Sequence, residues 1–116
     1  MGNFKELRVW NDAVGLATDI YKITSQKPFC NDYGLCNQIQ RAAVSIASNI
    51  AEGDDRGTNK EAIYFFNVAK GSAAEVITQL NIAYRIGYLS EEAFFKTENL
   101  TEKIKASLLN LIKARR

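Results

Sequence analysis

The stretch that most limits what this chain can fold into is residues 38–53, QIQRAAVSIASNIAEG. It holds no lysine, and its only charges are Arg41 and Glu52. At about 3.6 residues per helical turn it divides into three faces. Ile39, Ala43, Ile46 and Ile50 form an apolar seam. Gln38, Arg41, Ser45, Asn49 and Glu52 form a polar seam beside it, and Gln40, Val44, Ala47 and Ala51 a third face of mostly small apolar residues. A helix with one solvated face usually carries lysines and glutamates there. This one does not, so most of its circumference is expected to be covered.

Three further helical segments are predicted around it. The first covers about residues 5–25, with Trp10, Ala13, Ala17, Ile20 and Thr24 on its seam and Val14 and Tyr21 widening it. It ends before Lys27-Pro28, because the residue before proline is steered away from the α region. Asn31 or Asp32 can cap the second segment, and Gly53 is well placed to end it in a left-handed conformation. Thr58 and Glu61 form a capping box for the third segment, which Gly87 ends. Its core seam is Ala62, Phe66, Ala69, Ala73, Val76, Leu80 and Ala83. A second stripe runs beside it through Phe65, Val68, Ser72, Glu75, Gln79, Ile82 and Ile86. Ser90 caps the fourth segment, whose seam is Phe94, Thr97, Leu100/Thr101, Ile104, Leu108 and Leu111. The fold class predicted is all-α: an antiparallel up-down-up-down four-helix bundle in a single domain, residues 1–116. The second stripe exceeds what one small bundle can bury. Phe65, Val68, Ile82 and Ile86 are therefore expected at the interface of a homo-oligomer.

Composition excludes several chemistries. The chain has no histidine and two cysteines, Cys30 and Cys36, too few thiols for a zinc site. Both are read as ordinary thiols, and no metal or cofactor is expected. Ser45, Ser48, Asn49 and Glu52 lack the usual base for a serine nucleophile, so no catalytic residue is assigned. Gly71-Ser72 is expected inside a helix, where the glycine allows close backbone packing. No apolar run is long enough to span a bilayer. The first residues lack the apolar core of a signal peptide, and Glu6 stands where a myristoylation signal wants serine or threonine. A cytoplasmic location is expected.

The blocks FKELRVWNDA, QIQRAAVSIASNIAEG and FFNVAKGSAAEVITQL resemble the signature blocks of the four-helix-bundle proteins encoded in intervening sequences of bacterial 23S rRNA genes. The resemblance covers nearly the whole chain, in order and with matching spacing. It implies an antiparallel four-helix bundle assembled as a ring- or barrel-shaped homopentamer. The accessory variability proteins of diversity-generating retroelements are similar to that family. They are basic and bind nucleic acid and a reverse transcriptase. Against that, the net charge of +2 here is mild.

Two sets of polar residues stand out. Counting back from Gly53 and forward from Thr58 brings Arg41 within reach of Glu75. The polar seam then comprises Gln38, Arg41, Ser45, Asn49, Glu52, Ser72 and Glu75. Arg41 and Glu75 are expected as a buried ion pair, within the bundle or between subunits, with an anion- or RNA-binding arginine as the other reading. Lys5, Arg8, Lys105, Lys113, Arg115 and Arg116 gather toward one end of the bundle, where they could contact the phosphates of RNA or DNA. Two functions remain open: a non-enzymatic oligomer touching nucleic acid through repeated basic patches, and a protein-interaction or assembly scaffold without nucleic acid. A continuous positive rim favours the first, a mixed-sign rim the second.

Overall fold

A computed structural model describes residues 2–116. Among them are four long helices and no strand: α1 (Arg8–Thr24), α2 (Tyr33–Asp54), α3 (Asn59–Arg85) and α4 (Glu91–Ala114). Single 3-10 turns at Phe4–Glu6 and Phe29–Asn31 precede α1 and α2. Each helix packs on the next, and α4 returns to α1, closing a bundle 44 × 20 × 20 Å.

The helix starts follow from side-chain caps. Asp32 Oδ1 accepts from the Leu35 amide at 3.1 Å, Thr58 Oγ1 from Glu61 at 3.2 Å and Ser90 Oγ from Ala93 at 3.1 Å. Each satisfies an amide that the helix itself leaves unpaired. The first helix has no such cap and begins later than expected. Phe4–Glu6 forms a 3-10 turn, and Leu7 is extended at ψ 125°. Asn11 reaches back to the carbonyls of Lys5 and Leu7, and Trp10 packs edge-on against Phe4.

The core contains the predicted seams of α2 and α3. Ile39, Ala43, Ile46 and Ile50 are fully buried, as are Ala62, Phe66, Ala69, Ala73, Val76, Leu80 and Ala83. The seam of α1 differs from expectation: Val9, Ala13, Leu16, Ile20 and Thr24 point inward. Trp10 and Ala17 are only partly buried, and Tyr21 is 50% exposed. The expected set alternates steps of three and four, while the observed one ends on two successive steps of four and buries Leu16 where the other would bury an alanine. On α4 the seam runs one residue further than expected, to Ile112 in place of Leu111.

The glycines also exchange the roles foreseen for them. Gly53 does not end α2 in a left-handed turn. The helix runs through it to Asp54, and a Cβ there would stand 2.7 Å from Phe66 Cε1 and 3.1 Å from the Ala62 carbonyl oxygen. Gly71, expected at a close backbone contact, is exposed with nothing within 4 Å of a Cβ. Gly87 does take the left-handed conformation, at φ 87°. Its amide donates to Tyr84 O at 3.0 Å and that of Tyr88 to Ala83 O at 2.8 Å. That is the double closure which satisfies the last carbonyls of a helix.

Polar contacts tie the two ends of the bundle. At one end the Tyr88 hydroxyl donates to Asp32 Oδ2 at 2.9 Å, and its ring lies 5.1 Å from Phe29. This bond, then burial, holds the Tyr88 hydroxyl above the usual tyrosine range. Burial, then the charge of Asp32, raises the Cys36 thiol, whose Sγ donates to Phe29 O at 3.2 Å. Both cysteines are free thiols. At the other end Arg115 Nη2 lies 3.3 Å from Asp54 Oδ1.

Candidate functional site

The polar seam gathers in a cleft between α2 and α3. Gln38, Arg41, Ala42 and Ser45 come from α2, and Ser72, Glu75 and Gln79 from α3; together they enclose about 390 Å³. Their spacings of three and four residues keep each set on one side of its helix. At the cleft floor the Ser45 and Ser72 hydroxyls are 2.9 Å apart, and Asn49 Nδ2 donates to Ser45 Oγ at 3.0 Å. Gln79 is 8% exposed, and its Oε1 has no hydrogen-bond partner.

The charges of the cleft do not behave as expected. Arg41 and Glu75 line it together, yet both are exposed and no ion pair joins them. The expected buried pair within one chain is therefore absent. Counting along two helices gives register to about a turn, and contact needs a finer fit. Glu52 leaves the seam altogether and pairs with Arg56 one turn on, close to the end of α2.

The second stripe of α3 splits by depth. Its middle residues Ser72 and Gln79 are buried against α2. Val68, Ile82 and Ile86 are 37%, 47% and 54% exposed. Phe65 is half-covered, with the Arg56 guanidinium 4.5 Å from its ring centroid. On the other side of α2 lies an open apolar groove of about 580 Å³, with Val14, Ala17, Tyr21, Val44 and Ala47 among its walls. The sequence reading placed Val14 and Tyr21 in the core and missed this groove. The signal for it was the small, uncharged face of α2 through Val44 and Ala47.

The basic residues gather less uniformly than their positions in sequence suggest. Arg115 is turned inward onto Asp54, whose side chain is 8% exposed, and lies 5.7 Å from the Phe66 ring centroid. Lys103 Nζ stands 3.5 Å from Asp12 Oδ2. Lys5, Arg8, Lys105, Lys113 and Arg116 form no ion pair among the described residues. Gly2 lies against Asp54, which brings the start of the chain to the ends of α2 and α4. Glu6, Glu52, Asp55 and Glu61 are exposed at that same end, so it carries both signs.

Chemistry beyond contact has little to work with. Ser48 opens into the α1–α2 groove while Ser45 lines the α2–α3 cleft, so the serines do not form one cluster. Among the described residues no three Cys, Asp or Glu side chains converge as metal ligands, and no helix is long and apolar enough to cross a membrane.

Comparison with known proteins gives a consistent answer. The sequence model of a family described as 23S rRNA-intervening sequence protein matches residues 5–110. Among solved structures the chain is similar to a protein of unknown function from the S23 ribosomal protein family of Bacteroides thetaiotaomicron VPI-5482. The two share 25% identity at a TM-score of 0.84, over 90% of this chain and 98% of the other. No curated protein matches.

Proposed function

The chain belongs to the 23S rRNA-intervening sequence protein family, and from that premise we propose that it is a non-enzymatic assembly module. On this reading it is an antiparallel up-down-up-down bundle that closes with copies of itself into a cytoplasmic ring, a pentamer by family resemblance. The Tyr88–Asp32 and Arg115–Asp54 contacts at opposite ends support the topology. One observation carries the assembly reading: Val68, Ile82 and Ile86 stand exposed on a stripe that bears one charge, Glu75, and flanks a helix almost without charge. Removing such surface from water stabilises association by about 25 cal/mol per Å² before the costs of ordering are deducted.

The test is sedimentation velocity at micromolar concentration. The wild type is expected to sediment as a closed oligomer. Ile82→Glu, which sets a charge on the stripe and replaces no core residue, is expected to shift it toward monomer with unchanged helicity. A wild-type chain that stays monomeric overturns the reading.

A second reading is favoured by Lys5, Arg8, Lys105, Lys113 and Arg116, the basic residues of this set without an acidic partner. Repeated around a ring, they would contact nucleic-acid phosphates with little sequence preference. The basic character of the retroelement accessory proteins, which the family resembles, supports it. The mixed sign of the bundle end places it behind assembly. Binding to structured RNA or duplex DNA is expected to weaken steeply between roughly 50 and 200 mM salt. Neutralising Lys105, Lys113 and Arg116 is expected to flatten that slope and leave the oligomer intact. No binding at the lower salt leaves a scaffold for protein partners.

A further inference from the structure

Arg41 and Glu75 bring opposite charges into one cleft and leave them unpaired. Elsewhere in the molecule Arg56, Lys103 and Arg115 each meet a carboxylate. The cleft also holds a deficit that its own chain does not fill. Gln79 lines the cleft, and its Oε1 is buried without a donor. A buried acceptor that has lost water and gained nothing disfavours the isolated chain.

The missing group can be specified by its chemistry. It must donate to a carboxylate and, one helical turn away, to an amide oxygen. Glu75 and Gln79 have that i, i+4 spacing on one face of α3. A guanidinium presents five N–H donors in a planar fork and can serve both acceptors at once, whereas an ammonium acts as a point charge. The cleft walls beside them are Ala42, Ser45 and Ser72, small enough to admit an arginine side chain. A phosphate suits the site poorly, since Glu75 would repel it.

We infer that a second copy of this chain completes the cleft, with Arg41 of one copy paired to Glu75 and Gln79 of the next. The inference rests on the assembly reading above and names the polar contact within it. Charge complementarity supports it: α2 offers an unpaired cation at Arg41 and α3 an unpaired anion at Glu75, so a neighbour on either side can meet its opposite. Continuity with the apolar stripe supports it too. Val68 and Ile82 lie two helical turns before and after Glu75, about 10 Å each way. Covering those residues would shield the pair from water, and a shielded charge pair is stronger than an exposed one. In a ring the same arrangement repeats at every contact, each copy giving an arginine to one neighbour and a carboxylate to the other.

Mixing two charge variants tests this. Arg41→Glu and Glu75→Arg replace exposed side chains, and far-UV circular dichroism verifies that each variant is folded. Each alone places like charges across the contact and is expected to lose affinity for itself by roughly thirtyfold or more. In an equimolar mixture the carboxylate introduced by Arg41→Glu meets the guanidinium introduced by Glu75→Arg, and association in sedimentation velocity is expected to recover. A ring with an odd number of copies retains one mismatched contact in that mixture. The double variant R41E/E75R, matched at every contact, is therefore expected to recover the complete assembly. A pair formed within one chain cannot be restored by mixing. If the wild type assembles and the mixture stays dissociated, the pairing is overturned and the assembly reading stands. If either single variant assembles as well as the wild type, the pairing is likewise overturned. A monomeric wild type overturns both.

Discussion

Gly53 carries more of the fold than its place in sequence suggests. It lies inside α2 with the ring of Phe66, a fully buried residue, against its Cα. A single added methyl would approach that ring to 2.7 Å, nearer than carbon atoms pack. The ring cannot swing clear, because it is enclosed on all sides. Gly53→Ala, which ordinarily favours a helix, is therefore expected to destabilise by about 1–3 kcal/mol through overpacking. Urea unfolding monitored by circular dichroism checks this, with the exposed Gly71→Ala as the control that should gain stability. A glycine followed by a polar turn reads as a helix end in any sequence. Only the approach of Phe66 from the next helix shows that this one is a packing surface.

Among the elements, the joint between the α1–α2 and α3–α4 connections depends on pH. The Asp32 side chain caps α2 through Oδ1 and accepts the Tyr88 hydroxyl through Oδ2. The Tyr88 hydroxyl is held above its usual range by that bond, so the folded state favours the protonated form. Its contribution is present in full below the ordinary tyrosine value of about 10 and is lost as pH rises through the raised value. The Cys36 thiol, raised mainly by burial, acts in the same direction. The urea midpoint is thus expected to fall as pH is taken from about 8 to about 11. Tyr88→Phe is expected to remove the tyrosine share of the fall, and an unchanged pH dependence in that variant would show that the joint contributes nothing. That Asp32 could cap α2 was readable from the sequence, but its second partner was not. Residues 32 and 88 share no spacing pattern, and only the closure of the bundle brings them together.

For the molecule as a whole, what the sequence disclosed follows the strength of its seams. On α2 and α3 one large or strictly spaced set of apolar residues dominates, and every residue of it is buried, with Ala42, Ser72 and Gln79 buried beside it. On α1 two helical sets compete, and packing against α2 and α4 decides for Val9 and Leu16. The nearness of the polar positions on α2 and α3 was readable from their connection. A short turn joins α2 to α3, so counting from it brings Arg41, Ser45, Ser72 and Glu75 to one place. Whether its charges touch lies below the precision of counting, and Glu52 was lost to a neighbour only one turn away.

The Asp54–Arg115 contact spans 61 residues of chain. Asp54 belongs to the close of α2, and its partner stands just past the last turn of α4. Synthesis runs from the amino end, so α1, α2 and α3 leave the ribosome while that aspartate has no guanidinium to meet. A buried carboxylate left alone is costly. A chain ended before Arg115 leaves Asp54 without its guanidinium partner, and its urea midpoint is expected to fall below that of the full chain. One ion pair thus ties the close of α2 to the last residues of α4.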